Sequence, residues 1–305
     1  MKIFVAGGTG AIGRYVVPSL VNSGHEVTAL ARTADKAVWL AGHDATPELS
    51  SLFDREPLTA VVAGHDAVVN MATALPGTLS FLSDKAWRRN EYVRIAGSTA
   101  LADAALAAGV GRFVQESVAM VYPDRGADWI DEDQSVDHYP RARCSFAAEA
   151  NAQRLTDAGG TGIVLRFGVF LGAGAEHSEM ILAAAQRHIA TVLGPPGNYT
   201  SSIQLDDAAA AVVAALTAPA GIYNVVDDEP LTKRDYAAAA AMAAKTKPWL
   251  WLPGRLAQLG GDRSTSLTRS LRVSNKRFRA VAGWSPRYPS AREAWQAMAA
   301  TPTAS

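Results

Sequence analysis

Residues 7–13 read Gly-Gly-Thr-Gly-Ala-Ile-Gly, and this stretch decides the fold. It follows a short apolar run, 3–6, that predicts a strand, and it opens a stretch typical of a helix over 11–23. In this context the three glycines indicate a dinucleotide-binding βαβ unit. Gly7 permits the tight turn, Gly10 lets backbone approach a pyrophosphate, and Gly13 lets helix and strand pack closely. The helix start offers N–H groups to the phosphates; the competing interpretation is a tight turn without a ligand.

The second predicted strand, 27–31, bears on which dinucleotide binds. A carboxylate near the end of this strand usually binds the ribose hydroxyls of NAD, and none is present there. Arg32 follows instead, where the 2′-phosphate of NADP would lie, and Lys36 comes one turn later on a helix that Thr33 caps. A guanidinium can pair with phosphate through two hydrogen bonds. We therefore expect NADPH/NADP+ as the cofactor; the alternative is that Arg32 is an ordinary solvated charge.

Strand-like and helix-like stretches alternate through the first two thirds of the chain. The expected strands include 67–70, 112–116, 163–167 and a weak one at 48–52, and the expected helices include 91–108 and 143–158. This alternation predicts an α/β fold, a Rossmann doubly wound parallel sheet with a small C-terminal substrate subdomain. Residues 1–171 plus about 202–230 should form the NADP-binding domain, by the same pattern. A looser region rich in glycine and proline, about 172–201, plus 231–305 should form the substrate-binding subdomain.

Composition excludes several classes of function. Lys plus Arg and Asp plus Glu number 29 each in 305 residues, so there is no basic excess of the kind that nucleic-acid binding needs. Cys144 is the only cysteine, which excludes an internal disulfide. No apolar run reaches the roughly 18 residues of a membrane span, and no leader precedes the first strand. We therefore expect a cytoplasmic protein with no membrane, nucleic-acid or metal partner.

Six further motifs follow the glycine turn. They are 66–73 (DAVVNMAT), 113–122 (FVQESVAMVY), 166–172 (RFGVFLG), 202–208 (SIQLDDA), 222–225 (IYNV) and 273–275 (VSN). Together with the turn they resemble the extended short-chain dehydrogenase/reductase family of NAD-dependent epimerase/dehydratase-like proteins. The likeness is strongest to atypical members such as angucyclinone-type polyketide ketoreductases, which lack the Tyr-x-x-x-Lys pair.

The resemblance implies the cofactor contacts. Residues after the fourth strand should line the ribose and nicotinamide, and those at the end of 163–167 should lie near the nicotinamide. The predicted contacts are Gly7, Thr9, Gly10, Ala11, Ile12, Gly13, Arg32, Thr33, Lys36, Ser51, Leu52, Met71, Ala72, Thr73, Phe167, Gly168 and Val169.

The family's Ser, Tyr and Lys catalytic set is missing. The match through 113–122 puts Val118 at the Ser position, with Ser117 just before it. The match over 147–150 puts Arg141 at the Tyr position and Ser145 at the Lys position, and Arg94 replaces the usual Asn. No Tyr-x-x-x-Lys occurs anywhere in the chain. Ser117 and Arg141 are therefore the candidates for polarising a substrate carbonyl.

Three functions fit this pattern. The first is an NADPH-dependent ketoreductase acting on an aromatic, polyketide-like small molecule, with the proton supplied by the substrate or by water, as in antibiotic tailoring. The second is a catalytically silent NADP(H) sensor, and the third is a sugar epimerase or dehydratase. The expected partner is a small-molecule ketone, and the chain is expected to be a monomer or a homodimer. The predicted substrate contacts, for which core packing is the competing interpretation, are Leu75, Val118, Met120, Tyr122, Tyr139 and Gln204.

Overall fold

A seven-stranded parallel sheet forms the centre of the computed structural model, which describes residues 1–251 and 254–300. The strands are short, and in every strand except the edge strand Thr46–Glu48 most residues are buried, as a sheet covered on both faces requires. The strands in spatial order are β12 (Gly221–Val225), β7 (Thr161–Phe167), β5 (Arg112–Val118), β4 (Ala67–Asn70), β1 (Lys2–Ala6), β2 (Glu26–Leu30) and β3 (Thr46–Glu48).

Helices cover both faces of this sheet, because successive strand side chains point to opposite sides. In β1, Ile3 and Val5 join the core under one set of helices, while Phe4 and Ala6 join the core under the other. The first set is α1 (Gly13–Asn22), α2 (Ala34–Ala41), α8 (Leu205–Ala215) and α11 (Lys276–Ala282). The second set is α3 (Arg55–Val62), α5 (Ser98–Ala107) and α6 (Arg143–Asp157). The predicted Rossmann fold is confirmed.

The strand order places the site. The chain runs outward from β1 to β2 and β3 on one side, and from β4 to β5, β7 and β12 on the other. The order therefore reverses between β1 and β4, and ligands of such sheets bind outside the carboxyl ends of the strands at this point.

The remaining elements lie outside the seven-stranded sheet and the two sets of helices named above. The helices are α4 (Asp84–Tyr92), which continues through a π-helical turn (Val93–Gly97) into α5, and α7 (Glu176–Gln186), α9 (Lys233–Ala243), α10 (Thr265–Thr268) and α12 (Ala291–Ala300). The paired strands are β6 (Trp129–Ile130) with β15 (Arg272–Val273), β8 (Val169–Leu171) with β11 (Ser202–Gln204), β9 (Ile189–Ala190) with β14 (Leu250–Trp251), and β10 (Tyr199–Thr200) with β13 (Leu231–Thr232). The 3-10 segments are Thr78–Ser80, Ala119–Val121, Pro140–Ala142 and Gly254–Arg263.

Helices α7, α9 and α12 share a separate apolar cluster around the fully buried Trp295. The predicted division into two domains stays a prediction, and residues 252–253 and 301–305 of its second part lie outside the described residues. No helix in the described part of the chain is long and apolar enough to span a bilayer.

Three predicted elements differ from the structure. The weak strand expected at 48–52 is instead β3, whose central Pro47 lacks an N–H and is tolerated because β3 is the sheet edge. The helix expected from residue 91 already begins with α4, whose polar sequence buries only Trp87 and Asn90 and so shows little apolar periodicity. The region 172–201 was expected to be irregular but contains α7.

Candidate cofactor and substrate site

The geometry of the turn between β1 and α1 explains why positions 7 and 13 must be glycine. Gly7 has a φ of +85°, and a Cβ atom there would lie 2.5 Å from the carbonyl carbon of Met71. A Cβ atom on Gly13 would lie 2.1 Å from the Gly7 carbonyl oxygen, so only glycine lets α1 begin this close to the turn. The Gly10 amide donates to the Gly7 carbonyl at 3.0 Å, and Gly10 itself is exposed. The start of α1 can therefore receive a diphosphate.

The other predicted cofactor contacts lie at the same edge of the sheet. Thr9, Ala11 and Ile12 belong to the turn; Arg32 and Thr33 follow β2; Lys36 lies on α2; Ser51 and Leu52 follow β3; Met71, Ala72 and Thr73 follow β4; and Phe167, Gly168 and Val169 join β7 to β8. The side chains of Met71 and Phe167 are buried in the core, so these two can offer only backbone to a ligand. Contact of this set with a cofactor stays a prediction.

Four cations gather beside the turn. The pKa of the Lys36 ammonium is lowered from its usual value, first by partial burial and then by three neighbouring guanidinium groups. Those groups belong to Arg32, Arg14 and Arg89. Within residues 1–251 and 254–300, none of the four forms an ion pair. An uncompensated positive cluster at the end of β2 fits the 2′-phosphate of NADP.

Sequence reasoning missed two members of this cluster. Arg14 follows Gly13 directly, and its guanidinium lies 5.6 Å from the centre of the Trp39 ring on α2. Its place in the first turn of α1 was a signal that could have been used. Arg89 lies on α4, and nothing in its local sequence indicates that this helix reaches the end of β2.

The structure does not support Ser117 as the group that contacts a substrate carbonyl. Its hydroxyl is fully buried and donates to the Glu149 carboxylate on α6 at 2.6 Å. That carboxylate also binds Arg166 on β7, through Nε at 2.9 Å and Nη2 at 2.7 Å. Burial lowers the pKa of Arg166, but the hydrogen bond and charge of Glu149 outweigh burial and raise it. Ser117 is thus part of a buried ionic network that ties β5, α6 and β7 together.

The same network contains Tyr122, which was predicted to touch substrate. The Tyr122 hydroxyl donates to the Asn224 side-chain carbonyl at 2.9 Å and accepts from Arg166 at 3.0 Å. The residue is fully buried, and burial raises the pKa of its phenol although the Arg166 charge opposes this. Tyr122 therefore does not line an open site, and this prediction was wrong.

Arg141 is buried and held by its own protein. Its Nη1 donates to the Phe81 carbonyl at 2.9 Å and to the Arg263 carbonyl, and its Nη2 lies 3.3 Å from the Asp84 carboxylate. Its guanidinium also lies 4.8 Å from the centre of the Trp87 ring. Arg141 is therefore already paired in this conformation.

The remaining predicted substrate contacts differ in whether a ligand can reach them. The Gln204 side chain caps α8, accepting from the Asp206 and Asp207 amides, so it does not face a substrate; this prediction was wrong. Val118 at the end of β5 and Met120 just after it are partly exposed, and Leu75 is half exposed after β4, where they can meet a ligand. The Tyr139 hydroxyl donates to the Met120 carbonyl at 3.3 Å, and burial raises the pKa of its phenol to about 12.

Arg94 stands where the resemblance places the family's usual Asn. Arg94 lies in the π-helical turn and binds both oxygens of Glu116 on β5, at 2.7 and 2.8 Å. Both side chains are buried. Burial raises the pKa of Glu116, and Arg94 opposes that rise.

The comparisons with known proteins decide the family. The sequence profile described as "NAD dependent epimerase/dehydratase family" matches residues 3–226. This chain belongs to that family.

Within the family, the chain is 33% identical to a 3-diazoavenalumate denitrifying reductase from a Streptomyces species, over 96% of this chain and 98% of that one. It is also 30% identical to a farnesyl-dihydroquinoline-oxide ketoreductase of Stigmatella aurantiaca, over 51% of this chain and 45% of the relative. The crystal structure of the human epimerase family protein SDR39U1 with NADPH superposes with a TM-score of 0.83, at 24% identity, covering 98% and 99% of the two chains. That structural likeness supports the fold alone.

The matching family profile and the reductase relative identify the chain as an oxidoreductase of the NAD(P)-dependent epimerase/dehydratase type.

This epimerase/dehydratase family member keeps the cofactor turn but has no Tyr and Lys at the matched catalytic positions. Ser145, at the Lys position, is buried in α6, and Arg141, at the Tyr position, is paired as described above. Among the described residues, no group of three or more His, Cys, Asp or Glu side chains could hold a metal ion.

Proposed function

We propose that the protein is an NADPH-dependent reductase that delivers a hydride to a small aromatic acceptor without a protein proton donor. The supporting observation is the combination of an intact glycine turn with Arg141 and Ser145 at the two positions of the family's proton relay. Bound NADPH supplies the hydride. The chain's own residues bind and orient the cofactor, which is a large share of catalysis in this class.

The preference for NADPH over NADH rests on the four-cation cluster. A 2′-phosphate would meet Arg32 and Lys36 from α2 and its preceding loop, and Arg14 and Arg89 from α1 and α4. Because none of these cations has an acidic partner among the residues that the structure describes, the phosphate gains their attraction without breaking a pair seen there. NADH would leave the same four charges uncompensated.

The acceptor must be one that does not need a proton from Tyr. Reduction of a ketone consumes a hydride and a proton, which a neighbouring phenol of the substrate or water would supply. Reduction of an arenediazonium group consumes only the hydride, which forms the new C–H bond while the C–N bond breaks and N2 leaves. The name of the Streptomyces relative points to a diazo substrate for that protein, and the name of the Stigmatella relative to a ketone. The lack of a general acid favours the diazo class, and a ketone of an aromatic, polyketide-like molecule is the second candidate.

Titration calorimetry tests the cofactor. We expect NADPH to bind about tenfold to a hundredfold more tightly than NADH, and Arg32→Ala to remove most of that difference without changing NADH affinity. Arg55→Ala, which removes an exposed cation on α3, is the matched control and should change neither affinity. Equal affinities of the wild type for the two nucleotides would contradict the proposal.

Stopped-flow loss of the reduced nicotinamide signal tests the acceptor. We expect oxidation with an arenediazonium salt at a rate independent of pH in the range where the salt is stable, and release of N2. Oxidation with a hydroxylated aryl ketone alone, accelerating as pH falls, would instead select the ketone. Tight NADPH binding with no oxidation by either class would favour the silent sensor.

A further inference from the structure

Two guanidinium groups share one carboxylate at the position where this family carries its catalytic Tyr. Arg141 Nη2 lies 3.3 Å from Asp84 Oδ1, and Arg263 Nη2 lies 2.7 Å from Asp84 Oδ2. The three residues come from the loop before α6, the end of the 254–263 segment and the start of α4. The cluster therefore carries one more positive charge than negative charge.

Short contacts connect this cluster to the predicted cofactor edge. The Ala74 amide, next to the predicted cofactor contact Thr73, donates to the Asn90 side chain at 3.1 Å. Asn90 Nδ2 lies 3.9 Å from the Cys144 thiol, which donates to the Arg141 carbonyl at 3.5 Å. The guanidinium pair thus lies beside the loop that follows β4.

The three side chains differ in access to solvent. The Arg141 side chain is 7% exposed, so its charge is held away from water by its neighbours. The Asp84 side chain is 61% exposed and that of Arg263 is 59% exposed. The carboxylate is therefore the most easily replaced partner of Arg141, because its side chain can turn into solvent, whereas the other two partners are main-chain carbonyl groups.

Aromatic and aliphatic surfaces surround the same point. The Phe81 and Trp87 rings meet edge to face with centres 5.0 Å apart, and the Arg141 guanidinium lies 5.5 and 4.8 Å from their centres. On the same segment, Leu79 is 92% exposed and Leu82 is half exposed. Leu82 directly follows Phe81 and Leu79 precedes it by two residues, so both offer apolar surface on the segment that carries this ring.

We propose that the substrate carries a carboxylate that replaces Asp84 on Arg141 and Arg263, with its aromatic body against Phe81, Trp87 and the exposed leucines. Asp84 then acts as an internal stand-in that holds the site together until substrate arrives. A carboxylate is the group that the two guanidiniums already hold, and its two oxygens suit two such donors. This inference rests on the proposed function and names the substrate class of the same site.

Equilibrium binding of para-hydroxycinnamate and of its methyl ester to the NADP+-saturated protein tests the proposal. We expect the acid to bind the wild type about tenfold more tightly than the ester, and Arg263→Gln to remove this difference by weakening only the acid. Asp84→Asn removes the competing charge and should tighten acid binding several-fold. Arg292→Gln, which breaks the ion pair with Glu229, is the matched control and should change the affinity of neither the acid nor the ester.

Equal binding of acid and ester to the wild type and to Asp84→Asn, or no binding of the acid to either, would overturn the proposal. Weakening of both ligands alike by Arg263→Gln would also overturn it. Cofactor titration of the same samples separates the two proposals. Failure to bind NADPH contradicts the cofactor site, whereas intact NADPH binding with equal acid and ester affinities contradicts the carboxylate site alone.

Discussion

The substitution Glu149→Gln tests the buried network directly. It leaves the Arg166 guanidinium buried without its counter-charge, because Glu149 is the carboxylate within ion-pair distance of it in the described chain. Both side chains are less than a tenth exposed, and breaking a buried ion pair from one side costs about 3–5 kcal/mol. An unfolding entropy of roughly 2.1 cal/mol/K per residue gives this chain roughly 0.6 kcal/mol/K, so Tm should fall by about 5–8 °C.

Chemical denaturation and calorimetry measure this loss, and a more exposed ion pair that also involves α6 provides the control. Asp103→Asn breaks the partly exposed pair between Asp103 on α5 and Arg154 on α6, and should cost only about 0–1 kcal/mol. Adding Arg166→Met to Glu149→Gln removes the orphaned charge and should recover part of the stability. If Glu149→Gln costs no more than the control, or if the double variant is less stable than the single one, the reasoning is refuted.

Two further outcomes can be checked. Ser117→Ala should cost about 1 kcal/mol of stability, because Glu149 loses one hydrogen bond, and should leave kcat unchanged; a kcat loss with unchanged stability would restore Ser117 as a catalytic residue. Burial raises the pKa of Asp227 from 3.8 to about 8, the Ser202 hydroxyl opposing it. The folded state therefore keeps a proton that the unfolded chain loses, and stability falls by up to about 1.4 kcal/mol per pH unit as pH rises between these values. Asp227→Asn should flatten this slope in Tm measured from acid to mildly alkaline pH, and parallel slopes in variant and wild type would contradict the assignment.

Local chemistry explains what could be predicted. Gly7 must adopt a positive φ, and a Cβ atom on Gly13 would clash with the turn. Both requirements arise within one short loop, so these two glycines indicate the βαβ unit from local sequence alone. The same holds for Arg32 after β2, whose position relative to the turn is set by one helix and one strand. The absence of a Tyr-x-x-x-Lys pair is visible directly in the sequence.

The predictions for Ser117, Tyr122 and Gln204 failed because the local sequence does not show side-chain directions or distant contacts. Consecutive strand residues point to opposite sides of the sheet, and the motif alone did not tell which side Ser117 occupies. Tyr122 lies after the strand, and its burial depends on the distant partners Asn224 and Arg166. Gln204 directly precedes α8, and its side-chain oxygen accepts from two free amides at the start of that helix, a role that the sequence motif did not indicate.

The sequence by itself determined the Rossmann fold, the cofactor turn and the absence of the family's proton relay, because each depends on residues a few positions apart. Only the tertiary structure decided that Arg89 joins Arg14, Arg32 and Lys36, and that Asp84 holds Arg141 and Arg263. Asp84 and Arg141 are separated by 57 residues, and such charges meet only after the strands have brought their loops to one edge. The physical reason is that electrostatic pairing depends on distance in space, which the folded sheet sets and the chain order does not.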